Sequence, residues 1–353
     1  MAALRHCSFV VPGDLNTPTG GYRYDRRLLQ ALREMGWAID VCQLQEGFPR
    51  PDAAALHDAQ NRLAALPDGT CVVADGLAFG VLPELARRHA QRLRWVALVH
   101  HPLHLESGLT DAERETLQSQ ERESLASARH VIVTSHATVA DVIALGVPAA
   151  RITVVEPGTE RSVAPRPAAR DNVSLQLLCV ATLTPRKGHA VLLQALSGLR
   201  ALDWTLHCVG SPQHDLATAA QLHQASIDLV LADRVQWHGA LEEHALASHY
   251  NAADLFVLPS FYEGYGMVIA EALAHGLPVI TTTGGALART LPRAAGLHVP
   301  PGDVDALRHA LAQLIGDADL RARYAEGARA AGDRLPTWND AAARFATVLE
   351  GVA

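Results

Sequence analysis

No apolar run in these 353 residues approaches the roughly 20 that a helix needs to cross a bilayer. The opening stretch MAALRHCSFVVPGD has too short an apolar part for a signal peptide and leads straight into a strand, so a cytoplasmic protein is expected. Positive charge is not in excess either. Thirty Lys and Arg stand against 37 Asp and Glu, for a net charge of −7, with no block of one sign. Nucleic acid calls for a basic face and is therefore not expected as a partner. Cysteine is scarce: Cys7, Cys42, Cys71, Cys179 and Cys208 form no CxxC and are odd in number. They read as core thiols of a reducing compartment, not as a disulfide framework. The histidine cluster His100-His101-Pro102-Leu103-His104 lacks HExxH or a carboxylate at ligand spacing, so no metal and no bound cofactor are expected. No G-x-G-x-x-G follows the first strand, which argues against a nicotinamide dehydrogenase. Low-complexity tracts are absent too. With 49% apolar and 19% charged residues, the whole chain should fold, and it is long enough for two domains.

What is present is a regular strand–helix alternation. Short apolar runs that read as buried parallel strands lie at 7–11, 38–43, 71–74, 94–99, 130–133 and 152–155. A second set lies at 175–180, 204–209, 235–237, 255–258, 279–282 and 297–299, with helical stretches between. An arginine- and proline-rich segment with little apolar content separates the two sets and reads as a linker.

The stretch PSFYEGYGMVIAEALAHGLPVITTTGG, from Pro259 to Gly285, carries the most chemistry. A buried strand ends at Pro259, and a glycine-punctuated loop follows. A helix then runs from about Met267 to His275 and is stopped by Gly276 and Pro278. A helix start beside such a loop offers unpaired N–H groups and the positive end of a dipole, which suits a phosphate. Glu263 lies in the loop, and Glu271 follows after seven residues, one turn into the helix. Carboxylates next to a phosphate site need another partner, and vicinal sugar hydroxyls are natural ones. Upstream, Pro185-Arg186-Lys187-Gly188 puts two cations at a strand-to-helix junction, where they can act with the helix dipole on a diphosphate.

The motifs P-S-x-x-E-G-x-G and A-x-G-x-P-V-I closely resemble the signature of family 4 retaining glycosyltransferases. The resemblance implies the GT-B fold, an α/β architecture of two Rossmann-like domains facing a central cleft. It also implies a nucleotide-diphosphate sugar (UDP- or GDP-linked) as donor and a hydroxyl group as acceptor. On this reading residues 1–158 are the acceptor domain, 159–173 the linker and 174–335 the nucleotide-sugar domain. The last helix, 336–353, crosses back to the first domain. The family places Glu263 at the donor sugar and Glu271 at the ribose. Gly264, Tyr265, Gly266, Met267 and Val268 line the same loop and helix start. Arg186 and Lys187 match the diphosphate clamp, although many members carry an arginine where this chain has Thr182; Arg186 is expected to supply that charge. Gly20 and Gly21, after the first strand, match the family's glycine-rich loop. Gly210, His238 and Leu241 fall where the nucleotide is expected.

The active-site histidine of the family ends a strand equivalent to 94–99. His100 is the first choice, with His101 one register step away. His101, His104 and Arg23 are acceptor-side candidates, and the basic start of the first helix (Arg23, Arg26, Arg27) leaves room for weak contact with anionic lipid headgroups. The alternatives are a sugar-nucleotide epimerase or hydrolase of the same fold and a noncatalytic nucleotide-sugar-binding subunit.

Overall fold

A computed structural model describes residues 5–106, 108–160 and 174–352. Most of the expected linker, 161–173, lies outside the described residues. The chain divides into two compact units, Met1–Gly158 with Pro336–Ala353, and Thr159–Leu335.

The first unit runs β1 His6–Pro12, α1 Gly20–Glu34, β2 Ala38–Leu44, α2 Ala53–Ala65, β3 Cys71–Asp75, α3 Gly76–Phe79 and α4 Pro83–His89. It continues with β4 Arg94–Val99, α5 Asp111–Ala126, β5 His130–Val133, α6 His136–Ala144 and β6 Ile152–Val154. The second unit contains β7 Leu175–Val180, α7 His189–Ser197, β8 Trp204–Val209, α8 Leu216–Asp228, β9 Val235–Trp237 and α9 Glu243–Ala252. Then come β10 Leu255–Leu258, α10 Met267–Ala274, β11 Val279–Thr282, α11 Leu287–Thr290, β12 Gly296–Val299, α12 Val304–Gly316 and α13 Ala318–Gly332. Helix α14, Trp338–Val352, returns to the first unit and packs on α1.

Every strand pair is parallel. The orders are β2-β1-β3-β4-β5-β6 and β12-β11-β10-β7-β8-β9, so both sheets are doubly wound and both units are Rossmann-like. Parallel strands are covered on both faces, which is why they are nearly continuous apolar runs: Phe9, Val10 and Val11 in β1, or Leu255 to Leu258 in β10, are all buried. Strand order reverses between β1 and β3 in one sheet and between β7 and β10 in the other. Chain leaving neighbouring strands on opposite sides opens a crevice at their carboxyl ends, the usual ligand position in such sheets.

The five cysteines are free, and burial pushes the Cys7 thiol up to about 12 and Cys71 to about 11. Among the described residues no helix is long and apolar enough to cross a membrane.

Candidate functional site

In the second unit, the loops leaving β7 and β10 meet at the point where strand order reverses. Gly188 makes the approach possible. Its φ is +72°, and a Cβ there would lie 2.2 Å from the Pro259 carbonyl oxygen. Phe261 N donates to Arg186 O at 2.8 Å, joining the two loops through their backbones. The side chains then converge. Lys187 Nζ lies 2.5 Å from Glu263 Oε1, while Arg186 Nη1 donates to Tyr262 O at 2.6 Å and lies 3.4 Å from Glu263 Oε2. Burial alone would push the Glu263 carboxyl up, but the charges of Lys187 and Arg186 outweigh it and hold the group at about 2. Behind the loop, Ala286 N donates to Glu263 O at 2.9 Å, and a Cβ at Gly285 would lie 2.4 Å from the same oxygen. The Gly284-Gly285 pair thus lets β11's exit pass close beneath Glu263.

Helix α10 begins immediately after this loop. Its N-cap, Gly266, has a φ of +89° and offers no side-chain cap to the first N–H groups. Helix α7 starts in the same way at Gly188. Elsewhere Thr19, Asp52, Thr110, Ser135, Asp215, Asp303 and Asp317 cap their helices through side-chain oxygens, while α4, α9 and α11 also lack such a cap. Both helix starts at the loop meeting are therefore left to be satisfied by something other than a cap. Glu271, one turn into α10, accepts a hydrogen bond from Tyr250 Oη at 2.9 Å. Tyr265 is buried, with its carbonyl held by Thr290 Oγ1 at 2.5 Å, whereas Gly264, Met267 and Val268 are half-buried.

The remaining nucleotide-side candidates are placed differently. A Cβ on Gly210 would lie 1.8 Å from the Ala181 carbonyl oxygen, so this glycine is required by the close approach of the β7 and β8 exits. Leu241 packs against the unit's core. The His238 ring lies against His207 and His249.

In the first unit, the exits of β1, β3 and β4 bring together Asp25, Asp75 and His100. His100 Nε2 is 3.0 Å from Asp25 Oδ1 and 3.5 Å from Asp75 Oδ2. Asp25 is fully buried on α1, one turn after Gly21, and a Cβ on Gly21 would touch the His100 ring at 3.5 Å. Tyr24 meets the imidazole edge-on, with centroids 5.1 Å apart. Burial disfavours the imidazolium, but the two carboxylates more than offset it, so the His100 pKa is raised and the ring stays charged through neutral pH. Burial likewise raises Asp25, partly countered by His100.

The neighbouring histidines differ. His101 Nε2 is 3.7 Å from Glu106 Oε2, away from this cluster. His104 is buried with Nδ1 2.7 Å from Glu121 Oε2, and Glu121 also accepts from the backbone N of Leu103 and His104. That places His104 in the scaffold of the loop. Of the basic residues on α1, Arg23 is half-buried and Arg26 donates to the carbonyls of Leu15 and Thr17 in the loop after β1. Sequence reasoning overlooked Asp25, Asp75 and Tyr250. An acid on the apolar face of α1 beside Tyr24, Leu28 and Leu29 was the available signal for Asp25.

Known proteins share this organisation. The family described as glycosyl transferases group 1 matches residues 160–331, and the glycosyl transferase 4-like domain matches 48–158. A D-inositol 3-phosphate glycosyltransferase of Thermobispora bispora is 34% identical over 57% of this chain and 50% of its own length. One from Corynebacterium urealyticum is 31% identical over 68% of this chain and 62% of its own. A GDP-mannose-dependent alpha-(1-6)-phosphatidylinositol monomannoside mannosyltransferase of Mycobacterium tuberculosis is 30% identical over 58% and 57%. The chain thus spans about half to three fifths of the curated relatives it matches. Among solved structures, sucrose-phosphate synthase from Thermosynechococcus elongatus superposes with a TM-score of 0.83 at 23% identity, covering 99% of both chains. Anabaena HepE, solved with UDP and glucose, gives 0.77 at 18%, covering 99% of this chain and 100% of its own. At those identities the likeness establishes the fold, GT-B. Two consecutive family matches, a doubly wound sheet in each half and this fold together show that the chain belongs to the family 4 glycosyltransferases, the glycosyl transferases group 1.

Proposed function

We propose that this chain is a retaining glycosyltransferase that moves a sugar from a nucleotide-diphosphate sugar to a hydroxyl acceptor. The observation that carries the reading is the convergence of Arg186 and Lys187 on Glu263 beside two helix starts without side-chain caps. Two cations and free N–H groups suit a diphosphate, and a carboxylate fixed among them suits the hydroxyls of the sugar it carries. Glu271, oriented by Tyr250, is assigned to the ribose diol. His100, held by Asp25 and Asp75, is assigned by resemblance to the donor sugar.

Retention is the outcome the family resemblance implies, and the state of Glu263 bears on how it would come about by disfavouring a covalent glycosyl-enzyme. Its two oxygens are engaged by cations and its pKa lies at about 2, which makes it a weak nucleophile toward an anomeric carbon. On the retaining reading, attack comes from the acceptor oxygen on the face the diphosphate leaves. The anomeric C–O bond to the phosphate breaks, a new C–O bond forms, and the acceptor proton passes to a phosphate oxygen. Lys187 and Arg186 stabilise the charge that develops on the leaving group. The relatives' names include dependence on GDP-mannose, and HepE was also solved with UDP-glucose; both support a UDP- or GDP-linked hexose as the donor class.

Proton NMR of products from UDP-glucose or GDP-mannose, with inositol 3-phosphate among the acceptors offered, tests the reading. An α-configured product with release of the nucleotide diphosphate is expected. A β-configured product overturns retention, and no turnover of any donor, even to hydrolysis, overturns the activity.

A further inference from the structure

A cluster of ring nitrogens in the Thr159–Leu335 unit lies outside the Arg186–Lys187–Glu263 convergence. Along β8, Trp204, Leu206 and Cys208 point into the core, so alternation turns His207 to the opposite face, where it is half-buried. Helix α9 brings His249 to that face, and His238 enters from the end of β9. One ring nitrogen of each lies within 4.8 Å of the other two. His207 Nδ1 is 3.0 Å from His238 Nε2 with the rings nearly parallel at 16°, and the His249 ring lies 4.4 Å from that of His238. Gln176 Oε1, on β7, is 2.8 Å from His207 Nε2. An amide oxygen can only accept, so it fixes the proton on Nε2 and turns the Nδ1 lone pair toward the other two rings.

An ordinary packing cluster of imidazoles needs no such convergence. We propose that His207, His238 and His249 form a binding site for a divalent transition-metal ion of the zinc class. Three imidazole ligands with a fourth position open to water or a ligand are a familiar tetrahedral set. Nitrogens bound at about 2.0–2.1 Å in such a site lie roughly 3.3 Å apart, so the His207–His238 pair needs to open by a few tenths of an ångström. The bridging proton on His238 Nε2 moves to its Nδ1 as the metal takes its place; no net proton is released. The ligands come from β8, the β9 exit and α9, so an ion here ties α9 to the sheet. Tyr250, next to His249, is the residue that holds Glu271. The site needs no assumption about the donor, and it stands or falls separately from the glycosyltransferase reading.

The test uses tag-free, chelator-treated full-length protein titrated calorimetrically with Zn²⁺, and spectroscopically with Co²⁺. One equivalent of Zn²⁺ should bind, and Co²⁺ should give the intense visible bands of a tetrahedral nitrogen-ligated ion. His238→Gln and His249→Gln should each weaken Zn²⁺ by about a thousandfold, beyond the 10–100-fold typical of outer-shell changes, while His309→Gln on α12 should leave it unchanged. Failure to bind, a weak octahedral Co²⁺ spectrum at saturation, or equal affinity in the ligand variants overturns the proposal. The wild-type Co²⁺ spectrum decides the matter even if a variant folds poorly.

Discussion

Replacing Glu263 with Gln should remove a pH-dependent contribution to the stability of the second unit. In the folded chain Lys187 and Arg186 hold the Glu263 carboxyl at about 2, against about 4.3 for an unperturbed glutamate. A difference of a little over two units corresponds to about 3 kcal/mol. Because the folded value is depressed, this contribution is fully present above the unfolded value and is lost as pH falls from about 4.5 through about 2. Gln keeps one acceptor oxygen but puts an NH2 donor where the other stood, and it leaves two partly buried cations without their counter-charge, which adds to the loss at neutral pH. The variant should therefore be less stable by at least about 3 kcal/mol at pH 7, and the two curves should converge toward pH 2. Pulsed hydrogen exchange along a urea series, read on strands β7 and β10, isolates this unit from the other. Parallel stability curves for wild type and variant from pH 7 to pH 3 would show that the cations do not hold this carboxylate.

The same substitution bears on ligand binding. From sequence alone Glu263→Gln should spare the bare nucleotide diphosphate, but with the carboxylate on both cations its removal should tighten that ligand at least fivefold, about 1 kcal/mol; weaker binding would refute this. Lys187→Ala should lower kcat roughly a hundredfold, about 3 kcal/mol, and Arg186→Ala nearly as much. Near-normal kinetics in Arg186→Ala would mean that it does not supply the charge absent at Thr182. His100→Ala should reduce kcat with little change in affinity for the free nucleotide diphosphate, and His101→Ala should be milder; the reverse ranking would move the active role to His101. Glu271→Gln should weaken the bare nucleotide diphosphate by about 1.5–3 kcal/mol in calorimetry, and Tyr250→Phe less, since it removes only the group that orients Glu271. Equal affinities in all three proteins would leave Glu271 a surface charge.

The strands were legible because parallel strands buried on both faces leave apolar runs such as Leu255–Leu258 and Val279–Thr282, bounded by Pro259, Pro278 and Gly284. The helix of α10 was legible from Gly266 and Gly276. The four-residue helices α3 and α11 were not, since they are too short to show a period. Which motifs meet was harder to read. Lys187 and Glu263 are 76 positions apart, and Asp25 and His100 are 75 apart; they touch because non-consecutive strands lie side by side in each sheet. Strand order is not written in local spacing. His238 shows a related limit. Its place after β9 suggested the nucleotide, but which face its ring takes depends on His207 across the strand pair and on His249 from the covering helix. Gly210 matched a nucleotide contact by position, and the Ala181 carbonyl beneath it gives a separate reason for the missing side chain that local spacing does not show.

Calorimetric titration of the intact chain with UDP, GDP, UDP-glucose and GDP-mannose, repeated on Lys187→Ala, tests the donor assignment most directly. One equivalent of at least one nucleotide-diphosphate sugar should bind, and Lys187→Ala should weaken it by at least tenfold, about 1.4 kcal/mol. Absence of binding by every nucleotide, or binding that Lys187→Ala leaves unchanged, would contradict a diphosphate held at the meeting of the β7 and β10 loops.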